Sequence, residues 1–194
     1  MNTGEEWETI KKRYVEDTKK NPNHKGEKIV IHKGSINPKF IFVGEAPCIK
    51  AGITGEPFSG ISGKILDKWI YYLGGYKNCA VINVCPLVLT DRTGKKFVNP
   101  TPEVMKSFEK IYFNLLSDLV NEETKTIFFL GKSVQEILKD YHLKVDDKDK
   151  GDIGVCVNHP SYYARSGKHF CIPDEVIKIK DKYNEIVIFE GEWW

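Results

Sequence analysis

The chain has almost no net charge: 29 Lys and Arg stand against 27 Asp and Glu, leaving +2. That excludes a global basic field, so only local placement of charge can mark a polyanion site. Cysteine is sparse, with five residues (Cys48, Cys79, Cys85, Cys156 and Cys171) and no C-x-x-C pair. An odd, scattered set argues against a disulfide framework and against a zinc ribbon. No apolar run approaches the ~20 residues that span a bilayer. The amino terminus, MNTGEEWETIKKRY, has no signal-peptide core. A cytosolic (cytoplasmic) protein with no membrane partner is expected. Internal repeats and low-complexity segments are absent, and so are GxxxxGK[ST] and a strand-linked G-x-G-x-x-G. A P-loop and a dinucleotide fingerprint are thereby disfavoured.

What is present is an ordinary globular composition, 41% hydrophobic over 194 residues, enough for one core without covalent staples. Residues 4–20 place Trp7, Ile10 and Tyr14 on one face of a polar helix. EKIVIHKG reads as a short strand. FIFVGE, CAVINVC and TIFFLG are near-continuous apolar runs of the kind that a sheet covered on both faces requires. IGVCVNHP is a fourth such strand. Helices are expected from Ser62 to Leu73, after Thr101, and over KSVQEIL. Thr101 is a suitable N-cap, with Pro102 in the first turn and Glu103 at the positive end. PLVLTDRTGKKFVNPTP is expected to be a mobile surface loop, KVDDKDKGD a charged turn, and HPSYYARSGKHF a loop.

This alternation predicts an α/β fold: a three-layer α/β/α sandwich on a mostly parallel four-stranded sheet. One domain, 1–194, is expected, with an N-terminal helix over 1–25, a core over 26–170 and an extension over 171–194. In that extension a C-terminal β-hairpin around DKYN is predicted, with a helix through Asp174–Tyr183 as the rival.

In parallel sheets the ligand crevice lies at the strands' carboxyl ends. Glu45, Asn83 and His159 all fall at such ends, so three polar groups from distant segments can converge. Between them lies GEPFSG, which presents Phe58 between glycines. An aromatic beside such a crevice suits stacking a flat ring, and every nucleobase has a π-face. Basic clusters occur at Lys11–Arg13, at Arg92, Lys95 and Lys96, and at Arg165, Lys168 and His169. Each reads first as a solvated face.

Taken together, VGEAP…TGEPFSGISGKILD (43–67), INV (82–84), NPTPE (99–103), FLGKSVQEIL (129–138) and NHPSYYAR (158–165) carry a resemblance. The chain resembles the uracil-DNA glycosylase superfamily, most closely its family-four branch, from about residue 28 to 166. The resemblance implies a DNA-repair glycosylase that acts on DNA containing uracil or another deaminated base, by flipping the base and cutting its N-glycosidic bond. It implies Glu45 and His159 as catalytic residues, and Phe58, Asn83, Ala46 and Cys48 as base-binding residues. Ser59, Ser62, Ser161, Tyr162, Tyr163 and Arg165 would contact DNA, with a tyrosine as the wedge. A monomer without a metal is expected.

Two departures from the pattern matter. Family-four enzymes hold an iron–sulfur cluster on four cysteines, but here no cysteine precedes Cys48 and only Cys85 lies near a ligand position. One thiolate cannot hold such a cluster, so none is expected. The acidic residue expected six places after Glu45 is Ala51. Either Glu45 acts alone, or the protein is a weak or inactive binding module for damaged-base or single-stranded DNA. A thiol hydrolase using Cys48 and His159 is the remaining alternative.

Overall fold

The computed structural model describes residues 3–139 and 154–183. Helix α1 (Gly4–Lys20) starts at Thr3, whose hydroxyl accepts from the Glu6 N–H while the Glu6 carboxylate accepts from the Thr3 N–H. This reciprocal cap satisfies two N–H groups that the helix cannot. Strands β1 (His32–Gly34) and β2 (Phe40–Gly44) follow, then a short helix α2 (Ile49–Thr54) and α3 (Ile61–Tyr72). Next come β3 (Cys79–Asn83), α4 (Pro102–Leu119), β4 (Thr126–Leu130) and α5 (Lys132–Lys139). The described chain closes with β5 (Gly154–Val157), α6 (Pro160–Arg165) and α7 (Asp174–Tyr183).

The strands form one sheet in the order β1-β3-β2-β4-β5. All pairs are parallel except β1 with β3. Every residue of β2, β3 and β4 is buried, as their apolar runs demand. Their side chains alternate between two cores. Ile41, Val43, Ala80, Ile82, Ile127 and Phe129 meet Trp7 and Tyr14 of α1 and Phe108, Tyr112 and Leu116 of α4. Phe40, Phe42, Val81 and Phe128 meet Ile65, Leu66, Trp69 and Ile70 of α3, together with Val176 and Ile179 of α7. The molecule is thus the expected three-layer α/β/α sandwich.

Several expectations need correction. The sheet has five strands, not four, because His32–Gly34 pairs antiparallel with β3 and closes that edge. HPSYYAR is not a loop: His159 caps α6 and Pro160 occupies its first turn, where a missing N–H costs nothing. The segment after Pro86 begins buried, since Leu87 bridges Ile29 and the Val88 N–H donates to the Lys28 carbonyl. In the extension, the hairpin gives way to α7 over Asp174–Tyr183. Val176 and Ile179 share one face and are buried together, a helical spacing that outweighs the β-branched composition. Acidic residues open this helix and lysines close it, matching its dipole. The second half of the hairpin, from residue 184, and the charged turn at KVDDKDKGD lie outside the described residues. Among the described residues no helix is long and apolar enough to cross a membrane.

Candidate active site

Because β2, β3, β4 and β5 run parallel, their carboxyl ends open on one edge of the sheet. The chain winds from β2 outward to β3 and then crosses back to β4, so the switch in winding lies between β2 and β4. A cavity of about 510 Å³ occupies that position. Glu45, Ala46, Cys48, Phe58, Ser62, His159, Ser161 and Arg165 line it, so eight of the residues singled out in the sequence share one wall. Among the described residues Glu45 is the only carboxylate on that wall. It also borders a neighbouring hollow of about 440 Å³, reached past Asn99 and Ser133.

Phe58 is held in the left-handed backbone region, with φ +56°, an outlier for a bulky side chain. Such a conformation costs roughly 1–2 kcal/mol, so surrounding contacts must impose it. The Phe58 carbonyl presses onto the first turn of α3, where a Cβ on Gly63 would lie 1.4 Å from its oxygen. Only glycine permits that approach. The Phe58 ring then crosses Gly44, the last residue of β2, which pairs in register with Asn83. Phe58 Cε2 and Asn83 Oδ1 each lie 2.5 Å from where a Gly44 Cβ would stand, and are therefore no more than 5.0 Å apart. Asn83 is 1% exposed, and neither its Oδ1 nor its Nδ2 has a hydrogen-bond partner among the described residues. Asn83 is not among the residues that line the cavity; its Oδ1 lies beside the Phe58 ring, on the same side of Gly44. A buried amide left unpaired costs about 1–3 kcal/mol per group and calls for an explanation.

His159 caps α6. Its Nδ1 accepts from the Ser161 N–H at 3.1 Å and lies 2.8 Å from the Ser161 hydroxyl, which in turn accepts from Arg165 Nη1 at 3.1 Å. A ring nitrogen that accepts from a backbone N–H carries no proton, so the neutral imidazole bears its hydrogen on Nε2. Burial, then the nearby Arg165 charge, lower the His159 pKa to about 4. The ring is therefore uncharged at neutral pH and offers one donor. Its centroid lies 5.6 Å from that of Phe58, with 33° between the planes. Admitting a flat ring between them would take about 7 Å, two van der Waals spacings. The imidazole can thus meet a base stacked on Phe58 only at the base's edge.

Other expected residues fall elsewhere. Tyr163, grouped with the DNA contacts on sequence grounds, is a core residue: it is 7% exposed and its ring meets Trp69 edge-on at 5.3 Å. Tyr162 is exposed but does not line the cavity. The Ser59 hydroxyl is engaged within its own exposed loop, 2.6 Å from the Thr54 hydroxyl and donating to the Glu56 carbonyl at 2.7 Å. Ala51, where the family-four pattern has an acid, is fully buried in an apolar cluster with Val30 and Val88. A carboxylate there would face hydrocarbon. Cys79 and Cys85 are buried, Cys156 and Cys171 exposed, and Cys48 borders the cavity. Burial pushes the Cys85 thiol up to about 12. Among the described residues no three His, Cys, Asp or Glu side chains gather as metal ligands.

Nine wall residues had no assigned part in the sequence reading: Gly60, Ile61, Gly63, Leu130, Phe97, Asn99, Gly131, Lys132 and Ser133. The signal for the last three was a glycine directly after a buried strand and before a helix, in FLGKSV. Phe97 and Asn99 lie in the long segment taken for a mobile loop.

A family model described as the uracil DNA glycosylase superfamily matches residues 31–184, from the edge strand through α7. No curated protein matches the chain.

Proposed function

The chain belongs to the uracil DNA glycosylase superfamily, and from that premise we propose that it is a monomeric DNA-repair glycosylase hydrolysing the N-glycosidic bond of uracil, or of another deaminated base, in DNA. The observation that carries this reading is the unpartnered amide of Asn83 beside the Phe58 ring. Among the described residues it is the only buried side-chain amide with both its donor and its acceptor unpaired, and the edge of a base would fill both.

A duplex hides its bases, so the nucleotide must swing out of the stack, at a cost of a few kcal/mol. Phe58 supplies the stacking surface. Asn83 offers a donor and an acceptor that match the O4 and N3–H of uracil, whereas cytosine leaves a partner unpaired. Cleavage breaks the bond between C1′ and the base nitrogen. Its electron pair leaves with the base, and positive charge develops on the sugar. The His159 Nε2–H donates to O2 of the departing base; a fixed donor of this kind is worth about 3 kcal/mol. Glu45 orients a water toward C1′, takes up its proton and steadies the cationic sugar. Free base and an abasic site result, with no metal or iron–sulfur cluster in the step. Cys48, on the cavity wall, is assigned the C5 edge of the base, where its sulfur would crowd the methyl of thymine. Ser62, Ser161 and Arg165 hold the strand.

Because Ala51 stands where a second acid is expected and Glu45 is the only carboxylate among the described wall residues, a damaged-base or single-stranded-DNA binding module without catalysis is the second reading. The thiol-hydrolase reading lacks its base: the lone pair of His159 sits on Nδ1 and is engaged by Ser161, which leaves only a donor for Cys48.

The test is incubation with end-labelled oligonucleotides carrying uracil, hypoxanthine or only normal bases, followed by hot alkali. Strand scission at uracil is expected from the wild type, and its loss in Glu45→Gln, Asn83→Ala and His159→Ala. Binding without scission selects the second reading. Equal scission by all four proteins would displace the site.

A further inference from the structure

The segment between β3 and α4 is a built element rather than a slack connection. Thr90 bridges Phe97 antiparallel, the Val98 N–H donates to the Leu89 carbonyl, and the Asp91 N–H donates to that of Lys96. At the tip, the Gly94 N–H donates to the Asp91 carbonyl, closing a turn in which Gly94 takes φ +71°. The Asp91 carboxylate is spent inside this turn: its Oδ1 accepts from the N–H groups of Lys95 and Lys96 and from the Thr93 hydroxyl. Those donors hold its pKa below the ordinary carboxylate value. Residues 89–98 therefore form a short two-stranded finger with a self-tied tip.

The tip's only carboxylate faces inward while Arg92, Lys95 and Lys96 are exposed. None of the three makes an ion pair among the described residues. At its base the finger delivers Phe97 and Asn99 to the cavity wall. The strand order gives this placement its meaning. The finger leaves β3, on one side of the central pair β2 and β4, while α6 with Arg165 leaves β5, on the other. The finger that carries these three cations and α6 with Arg165 thus depart from opposite sides of the cavity, although the whole chain is nearly neutral. A single strand of nucleic acid that presents one nucleotide to the cavity carries phosphates away in both directions.

We propose that the finger 89–98 is a DNA-backbone clamp, in which Arg92, Lys95 and Lys96 hold the phosphates on one flank of the nucleotide in the cavity while α6 serves the other. The proposal rests on the DNA-directed reading above, but it concerns binding, so its test does not require cleavage.

The experiment measures anisotropy of a fluorescein-labelled DNA single strand of about 20 nucleotides bearing one central uracil, titrated with protein across a range of salt. Arg92→Gln/Lys95→Gln/Lys96→Gln is compared with the wild type and with a control, Lys12→Gln/Lys19→Gln/Lys110→Gln, whose lysines are exposed on α1 and α4 away from the cavity. Each lost phosphate contact lowers the slope of log K against log salt by about 0.7 on a single strand. The finger variant is expected to lose roughly tenfold in affinity and about 2 in slope, with the control unchanged and Arg92→Lys retaining the wild-type slope. Shortening the strand on one side of the uracil should weaken the wild type and leave the finger variant indifferent. An unchanged slope in the finger variant, an equal loss in the control, or a wild type that ignores DNA altogether each overturns the clamp. Tight binding without base release would instead overturn the glycosylase reading and leave the clamp standing.

Discussion

At the scale of single residues, the imidazole of His159 determines how the site responds to acid. Its depressed pKa of about 4 keeps it neutral, with Nε2 protonated, across the physiological range. The rate of base release should therefore show no titration from His159 between about pH 5 and pH 8, and a fall on its account should appear only as pH approaches about 4. A single-turnover pH profile checks this; an inflection near the ordinary histidine value, absent in His159→Ala, would contradict it. Asn83 makes the complementary case. Its amide is buried and unpaired, so Asn83→Leu, similar in shape, should raise stability by about 1 kcal/mol in urea unfolding while it removes base release. Both residues drew attention in the sequence as polar groups ending apolar strands. The tautomer of one and the missing partners of the other were not legible there, because each depends on which atoms lie opposite.

At the scale of elements, the legible features were those governed by period and capping. The Trp7, Ile10 and Tyr14 face gives α1, and Thr101 with Pro102 starts α4 as expected. Short elements escaped. In α2 and α6, six residues each, the pattern has too few turns to declare itself. In α7 a run rich in Val and Ile resembled a strand until tertiary burial chose between periods. The loop holding Phe58 was legible as a ring-presenting turn, but its dependence on Gly63 was not. Gly63→Ala would set a methyl against the Phe58 carbonyl. It should cost about 1–3 kcal/mol, the range for overpacking, and should weaken base binding more than it changes the fold's melting temperature. Isothermal titration with free uracil, beside calorimetric unfolding, separates the two effects.

At the scale of the whole molecule, two histidines couple folding to pH. His32, packed edge-on against Trp7 of α1 with ring centroids 4.6 Å apart, is held like His159 at about 4, mainly by burial. In the unfolded chain both return to about 6.5, so between those values the unfolded state binds more protons. Their stabilisation is thus complete above about 6.5 and is lost as pH falls toward 4. The melting temperature should drop by about 5 °C or more from about pH 7 to about pH 5, with His32→Asn removing roughly half of that decline. The same scale gives the crossover of the chain between β2 and β4 its significance. Glu45 and His159 line one cavity only once β2 and β5 share the sheet, and contacts so distant in sequence form late because loop closure precedes any gain from them. If the chain is the glycosylase proposed above, a nascent copy is expected to be inert toward DNA until β5 has joined the sheet and brought His159 to the cavity.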